Sequence, residues 1–243
     1  YSASGRVEGT VNDQFSISEY EGAIRIASTL DNWGMWWRNA ETDENGEPVW
    51  IGPTNQVTVL MDNGDGYLDH VGFIGEIATG ETIWSARFVG DRGYLVTFMN
   101  IDPLWVLDLS DPFNPAILGE LHVPGVSTYI HPLDDDNLLT IGIAGGDDGL
   151  GLDWSTTQVS LFDVSNTSSP ILSDTIPLTP AYTDENCSDI LTCGWAWSYS
   201  EATYEHKAFT YWPPESLLAV PLSSHRYVFD QIEVDGRAYS YSS

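Results

Sequence analysis

The sequence predicts an all-β fold, a β-propeller of which four four-stranded blades are visible as part of a larger ring. Three observations predict it. A strand–turn–strand segment recurs without a gap, a second segment recurs ahead of it, and helical periodicity is almost absent. Repeated four-stranded units of about this size are the sequence form of a propeller. A β-sandwich of similar hairpins is the alternative.

The clearest repeat pairs Leu104–Asp111, running on through Pro115 to Ile117–Pro124, with Val159–Asn166, running on through Pro170 to Leu172–Leu178. Asp108 aligns with Asp163, Asp111 with Asn166 and Pro115 with Pro170. β-Branched and aromatic residues favour strands, and the Ser-Asp-Pro cluster sets a tight turn between them.

A second echo precedes each copy. Ser85–Phe88 leads through a Gly-Asp-Arg-Gly turn to Tyr94–Met99, and Ser127–Ile130 leads through Asp134–Asn137 to Leu138–Ile143. Ser200–Thr203 followed by His206–Tyr211, and Phe15–Tyr20 followed by Ala23–Leu30, fit the same template. Each unit is thus four short strands, a to d, and the units span roughly 15–79, 80–125, 126–180 and 195–243.

Insertions interrupt the template between b and c of the first unit (Asp31–Thr54), between b and c of the third (Ala144–Thr157), and between units three and four (Tyr182–Trp197). Loops b–c and d–a emerge on the same side of a propeller, so all three gather on one face. Clustered insertions on one face of a repeat fold often form its binding surface. They carry Trp33, Trp36, Trp37, Trp50, Trp154, Trp195 and Trp197, seven of the ten tryptophans. Such rings either stack on a sugar or anchor a protein partner, or they cap the core.

The 243 residues suffice to bury a core. With 36 acidic and 8 basic residues the formal charge is −28, which repels nucleic acid and anionic membranes and suits cations or basic partners. No stretch approaches the ~20 apolar residues of a membrane-spanning helix. Cys187 and Cys193, six positions apart, read as a local loop disulfide, with two free thiols as the alternative.

The stretches Asn12–Tyr20, Ala86–Phe98, Asp102–Pro112, Gly119–Leu121, Pro124–Pro132, Ser160–Ser165 and Glu205–Phe209 resemble the secreted bacterial and archaeal proteins with a β-propeller domain distantly related to WD40 repeats. The resemblance implies a secreted, extracellular or cell-surface propeller and implies no reaction. The chain begins and stops inside the blade pattern, so further blades of the same protein or of another chain are expected partners.

Met61–Asp69 resembles the calcium loop of integrin-type propeller repeats. Asn63, Asp65, the Tyr67 carbonyl and Asp69 match, Met61 replaces the first ligand, and Asp62 lies one place away. A plain Asn-Gly/Asp-Gly hairpin turn fits the same residues. Asp147, Asp148 and Asp153 form a second acidic loop and Asp134–Asp136 a third, each read as charged turn before ligand site. The five histidines form no metal motif, and His131 and His206 read as structural. No nucleophile elbow, phosphate loop or dinucleotide fingerprint is present, and no catalytic residue is assigned. The expectation is a binding or scaffold module for a protein or glycan, calcium being its one candidate cofactor. An extracellular glycan hydrolase with axial carboxylates and a structural subunit of a surface assembly are the alternatives.

Overall fold

The computed structural model describes residues 3–30, 41–42, 48–49, 52–99, 102–146, 151–179, 195–227, 229–234 and 237–242. Trp33, Trp36, Trp37, Trp50, Cys187, Cys193, Asp147 and Asp148 lie outside the described residues.

Three antiparallel four-stranded sheets run in chain order. The first is built from β1 (Ile17–Tyr20), β2 (Ala23–Leu30), β5 (Thr54–Asp62) and β6 (Leu68–Ile77). The short pair β3 (Glu41–Thr42) and β4 (Pro48–Val49) sits inside its b–c insertion. The second holds β7 (Thr82–Val89), β8 (Arg92–Phe98), β9 (Asp102–Asp108) and β10 (Ala116–Val123). The third holds β11 (Val126–Pro132), β12 (Asn137–Gly145), β13 (Leu152–Asp163) and β14 (Ile171–Pro177).

Residues 195–242 contribute strand pairs. β15 (Trp195–Tyr199) pairs with β18 (Ser223–Tyr227), enclosing in sequence the hairpin of β16 (Thr210–Trp212) and β17 (Leu217–Ala219). β19 (Phe229–Val234) and β20 (Arg237–Ser242) form a further hairpin. The segment Ser200–Thr203, expected to run as an inner strand, is a 3-10 turn instead. The Ser200 hydroxyl accepts from the Ala202 amide, and the Glu205 carboxylate likewise caps a turn at His206–Ala208. Side-chain acceptors placed to cap a turn compete with the strand ladder.

The core sits in the gaps between sheets. Ala27, Val57, Ile74 and Ile77 pack on Ile83, Ala86, Leu95 and Leu107 between the first two. Tyr94, Val96, Leu104 and Val106 pack on Val126, Ile130, Leu138 and Phe162 between the second and third. Tyr129, Ile141 and Val159 meet Ala202 and Phe209 beyond the third. The second and third sheets are therefore apolar on both faces, as stacked blades require.

Polar links cross the same gaps. Buried Ser85 donates through Oγ to the Ser127 carbonyl at 2.7 Å. Buried Arg25 donates to the Gly90 carbonyl and to Ser18 Oγ, with Tyr20 and Phe88 rings at 5.2 and 5.3 Å from its guanidinium carbon.

Two outer-strand glycines mark close approach of the next blade's turn. A Cβ at Gly72 would meet the Pro112 carbonyl oxygen at 2.1 Å, and one at Gly119 would meet that of Thr167 at 2.4 Å. Both strand d positions thus receive the c–d turn that follows one blade later.

Candidate functional site

The insertion face is visible at the b–c end of the third sheet. Ile143 pairs with Thr157 while Ala144 pairs with Asp153, so Trp154, Ser155 and Thr156 bulge out of β13. The bulge is held from within: Asp153 Oδ1 accepts from the Ser155 amide and hydroxyl. Burial works against the Asp153 carboxylate, yet hydrogen bonds from Ser155 and Thr156 outweigh it and hold its pKa below the usual value.

Trp154 is 68% exposed and leans on Trp84, with ring centroids 6.2 Å apart. Trp84 in turn meets Phe98 edge-on at 5.6 Å. Of the other tryptophans expected on this face, Trp195 lies in β15 with its Cα opposite that of Tyr227. Trp197 is half-buried and stacks on His225 at 4.2 Å and Tyr199 at 5.6 Å. Thr157 and Thr179 bind Ser198, anchoring β15 to the third sheet.

Asp62–Asp69 forms the c–d turn of the first sheet. The Gly64 amide donates to Asp62 Oδ1 at 2.8 Å and the Asp65 amide to Asn63 Oδ1 at 2.9 Å. Asn63 Nδ2 donates to Asp69 Oδ1 at 3.2 Å, and the Tyr67 carbonyl accepts from the Asn63 amide at 3.1 Å. The oxygens proposed as calcium ligands at Asp62, Asn63, Tyr67 and Asp69 thus serve the turn. Among the described residues no group of three His, Cys, Asp or Glu side chains is arranged to hold a metal ion.

A second concave site lies between the 3-10 turn Gln14–Ser16, β11 and the 3-10 turns of Glu201–Ala208. Arg87 of β7 and Tyr129 of β11 occupy equivalent repeat positions. Phe15 comes from the 3-10 turn Gln14–Ser16, whose cap Asp13 accepts from the Phe15 and Ser16 amides. Phe15 meets Tyr129 at 5.5 Å and His206 at 5.0 Å. Gln14 Nε2 contacts the His206 ring nitrogens, and Tyr129 and His131 both meet Phe209. Burial, helped by the nearby Arg87 charge, lowers the His131 pKa and favours its neutral form. Asp13 is the one acid among the residues lining this depression, and its Oδ1 also accepts from the Ser16 hydroxyl. A pair of catalytic carboxylates is not assembled by those residues.

Sequence reasoning found these residues singly and not as a set. The available signal was positional: Arg87 and Tyr129 hold the same place in successive copies of the inner-strand echo.

The sequence model of the beta propeller domain family matches residues 1–242, and the chain belongs to that family. The fold is that of a general binding or scaffold module. An uncharacterized protein of Methanocaldococcus jannaschii is 33% identical over 226 residues, covering 93% of this chain and 29% of the relative. One from Archaeoglobus fulgidus is 33% identical over 223 residues, covering 92% and 28%. The chain therefore spans less than a third of the length of these relatives. The Nup133 β-propeller domain of Vanderwaltozyma polyspora matches at TM-score 0.34 and 10% identity, over 74% of this chain and 52% of that one. That likeness is too distant to bear on function. Among the described residues no helix is long and apolar enough to cross a membrane.

Proposed function

We propose that this chain is a binding module of a secreted or cell-surface protein and receives a protein partner on its b–c face. The observation that carries the reading is the three-residue bulge at Trp154–Thr156, which lifts a large aromatic ring into solvent beside Trp84. A partly exposed tryptophan backed by a second ring offers a rigid apolar anchor at small entropic cost, the usual chemistry of an interface hot spot. The charge of −28 favours a basic partner and speeds its approach at low salt.

The test is an affinity capture from cell-surface and culture-medium fractions, with wild type and Trp154→Ala compared at equal melting temperature. The reading expects a saturable protein partner retained by wild type and lost, or weakened at least about tenfold, in the variant. Equal retention by both would overturn it. A glycan array run in parallel separates a sugar ligand from a protein one.

A further inference from the structure

We propose that the depression beside the Gln14–Ser16 turn is a binding site for one neutral sugar residue, with Asp13 accepting its hydroxyl protons and the Phe15 and Tyr204 rings packing on its apolar face. The inference does not rest on the Trp154 bulge, which shares no residue with this lining. The depression holds about 280 Å³, at the small end of ligand sites and suited to a single pyranose ring rather than a chain. Its lining joins Asp13, Thr128 and Thr203 to the rings of Phe15, Tyr129 and Tyr204. Tyr204 is 76% exposed, a large ring left open to solvent beside a cavity.

Three side chains of this lining present acceptors. Asp13 Oδ1 serves the Phe15 and Ser16 amides and the Ser16 hydroxyl, while Oδ2 accepts nothing among the described residues. The Thr128 hydroxyl donates its proton to the Ile141 carbonyl at 3.2 Å, and the Thr203 hydroxyl to that of Ser200 at 2.8 Å. Each threonine oxygen then has only lone pairs to offer a ligand. A molecule that satisfies these acceptors must carry several O–H or N–H donors.

Charge narrows those donors to hydroxyls. The Asp13 carboxylate and the net charge of −28 oppose an anion. An ammonium ion is opposed by Arg87, which stands outside the lining with its guanidinium carbon 4.5 Å from the Phe15 ring centroid and 5.8 Å from that of Tyr129. Both rings already hold a cation, and a second beside it is repelled. The net charge attracts cations from afar, but salt screens it, whereas Arg87 acts at short range. A purely apolar ligand would strip water from the Asp13 and threonine oxygens without replacing its hydrogen bonds. A neutral molecule with several hydroxyls remains. A sugar has these, and its C–H groups, slightly positive, suit the negative face of an aromatic ring.

The experiment titrates the whole chain with the methyl β-glycosides of glucose, galactose and mannose. The uronate and amino-sugar counterparts of whichever binds follow, with a trisaccharide that ends in the same sugar. Amide chemical shifts at Phe15, Tyr129 and His206 read both affinity and location. The expected result is that at least one glycoside saturates these shifts with a Kd of about 10 mM or tighter, and that its charged counterparts bind at least about tenfold more weakly. In Asp13→Asn the amide oxygen keeps the cap of the turn while a donor replaces the free acceptor. Asp13→Asn and Tyr204→Ala should each weaken binding at least about fivefold. Tighter binding of the trisaccharide identifies a glycan terminus, and equal binding a free sugar; both support the site. No saturation by any glycoside at about 50 mM, a charged counterpart binding as tightly, or wild-type affinity in either variant overturns the proposal. Should Asp13→Asn melt early, Tyr204→Ala and the charged-sugar comparison decide by themselves.

Discussion

Asp108 and Asp163 make the same hydrogen bond one blade apart. Each accepts through Oδ1 from the amide two residues on, Ser110 and Ser165 respectively, at 2.9 Å. The residue after each, Leu109 and Val164, donates its own amide at 2.7 Å to the carbonyl of the preceding a–b turn, at Asp91 and Asp136. Both residues are buried, so each aspartate starts a turn that also seats a core side chain.

Asp163→Ala is expected to lower the melting temperature at neutral pH, and Asp163→Asn to do so less, because the amide keeps an acceptor. Hydrogen bonds from Ser165 hold the Asp163 pKa below the ordinary carboxylate value, and those from Asn114 and Asn137 do the same for Asp111 and Asp134. A folded pKa below the unfolded one contributes stability above the unfolded value and loses it as pH falls through the folded one. Thermal melts from pH 6 down to pH 2 should therefore weaken below about pH 4, with a shallower decline for Asp163→Asn.

Gly119→Ala and Gly72→Ala should each destabilise the protein by about 1–3 kcal/mol, since the added methyl meets a backbone carbonyl rather than a movable side chain. Urea titration is the measurement. Unchanged midpoints would mean that the c–d turns of the neighbouring blades do not lie against these strands.

Replacing Arg25 with Met should cost on the order of 1.5–3 kcal/mol, because the Gly90 carbonyl and Ser18 hydroxyl lose a charged donor in an enclosed site. Chemical denaturation at neutral pH reads this directly.

Asp153→Ala should loosen the bulge and reduce the Trp84–Trp154 ring coupling in near-ultraviolet circular dichroism, with little change in far-ultraviolet signal. Trp154→Ala should remove the same coupling while leaving stability within about 0.5 kcal/mol, as expected for an exposed position.

Calcium at millimolar concentration is expected to move the melting temperature no more than magnesium does, because among the described residues no three acidic side chains converge at this turn. A calcium-specific rise that Asp65→Ala abolishes would establish an ion at this turn instead.

The amino-acid sequence by itself determined the strands and turns of the three complete blades. Alternating apolar residues and Asx turns such as those at Asp108 and Asp163 act over a few residues, and local chemistry is written locally. Tertiary structure decided the rest. The Ser200 and Glu205 caps turned an expected inner strand into 3-10 turns, since a local acceptor wins where no neighbouring strand claims the backbone. The Trp154 bulge emerged from a register between β12 and β13 that no spacing in the sequence states. The depression needed long-range packing: Gln14 and His206 are 192 residues apart, and only the docking of the N-terminal 3-10 turn on β11 and on the later 3-10 turns brings them and Tyr129 to one place.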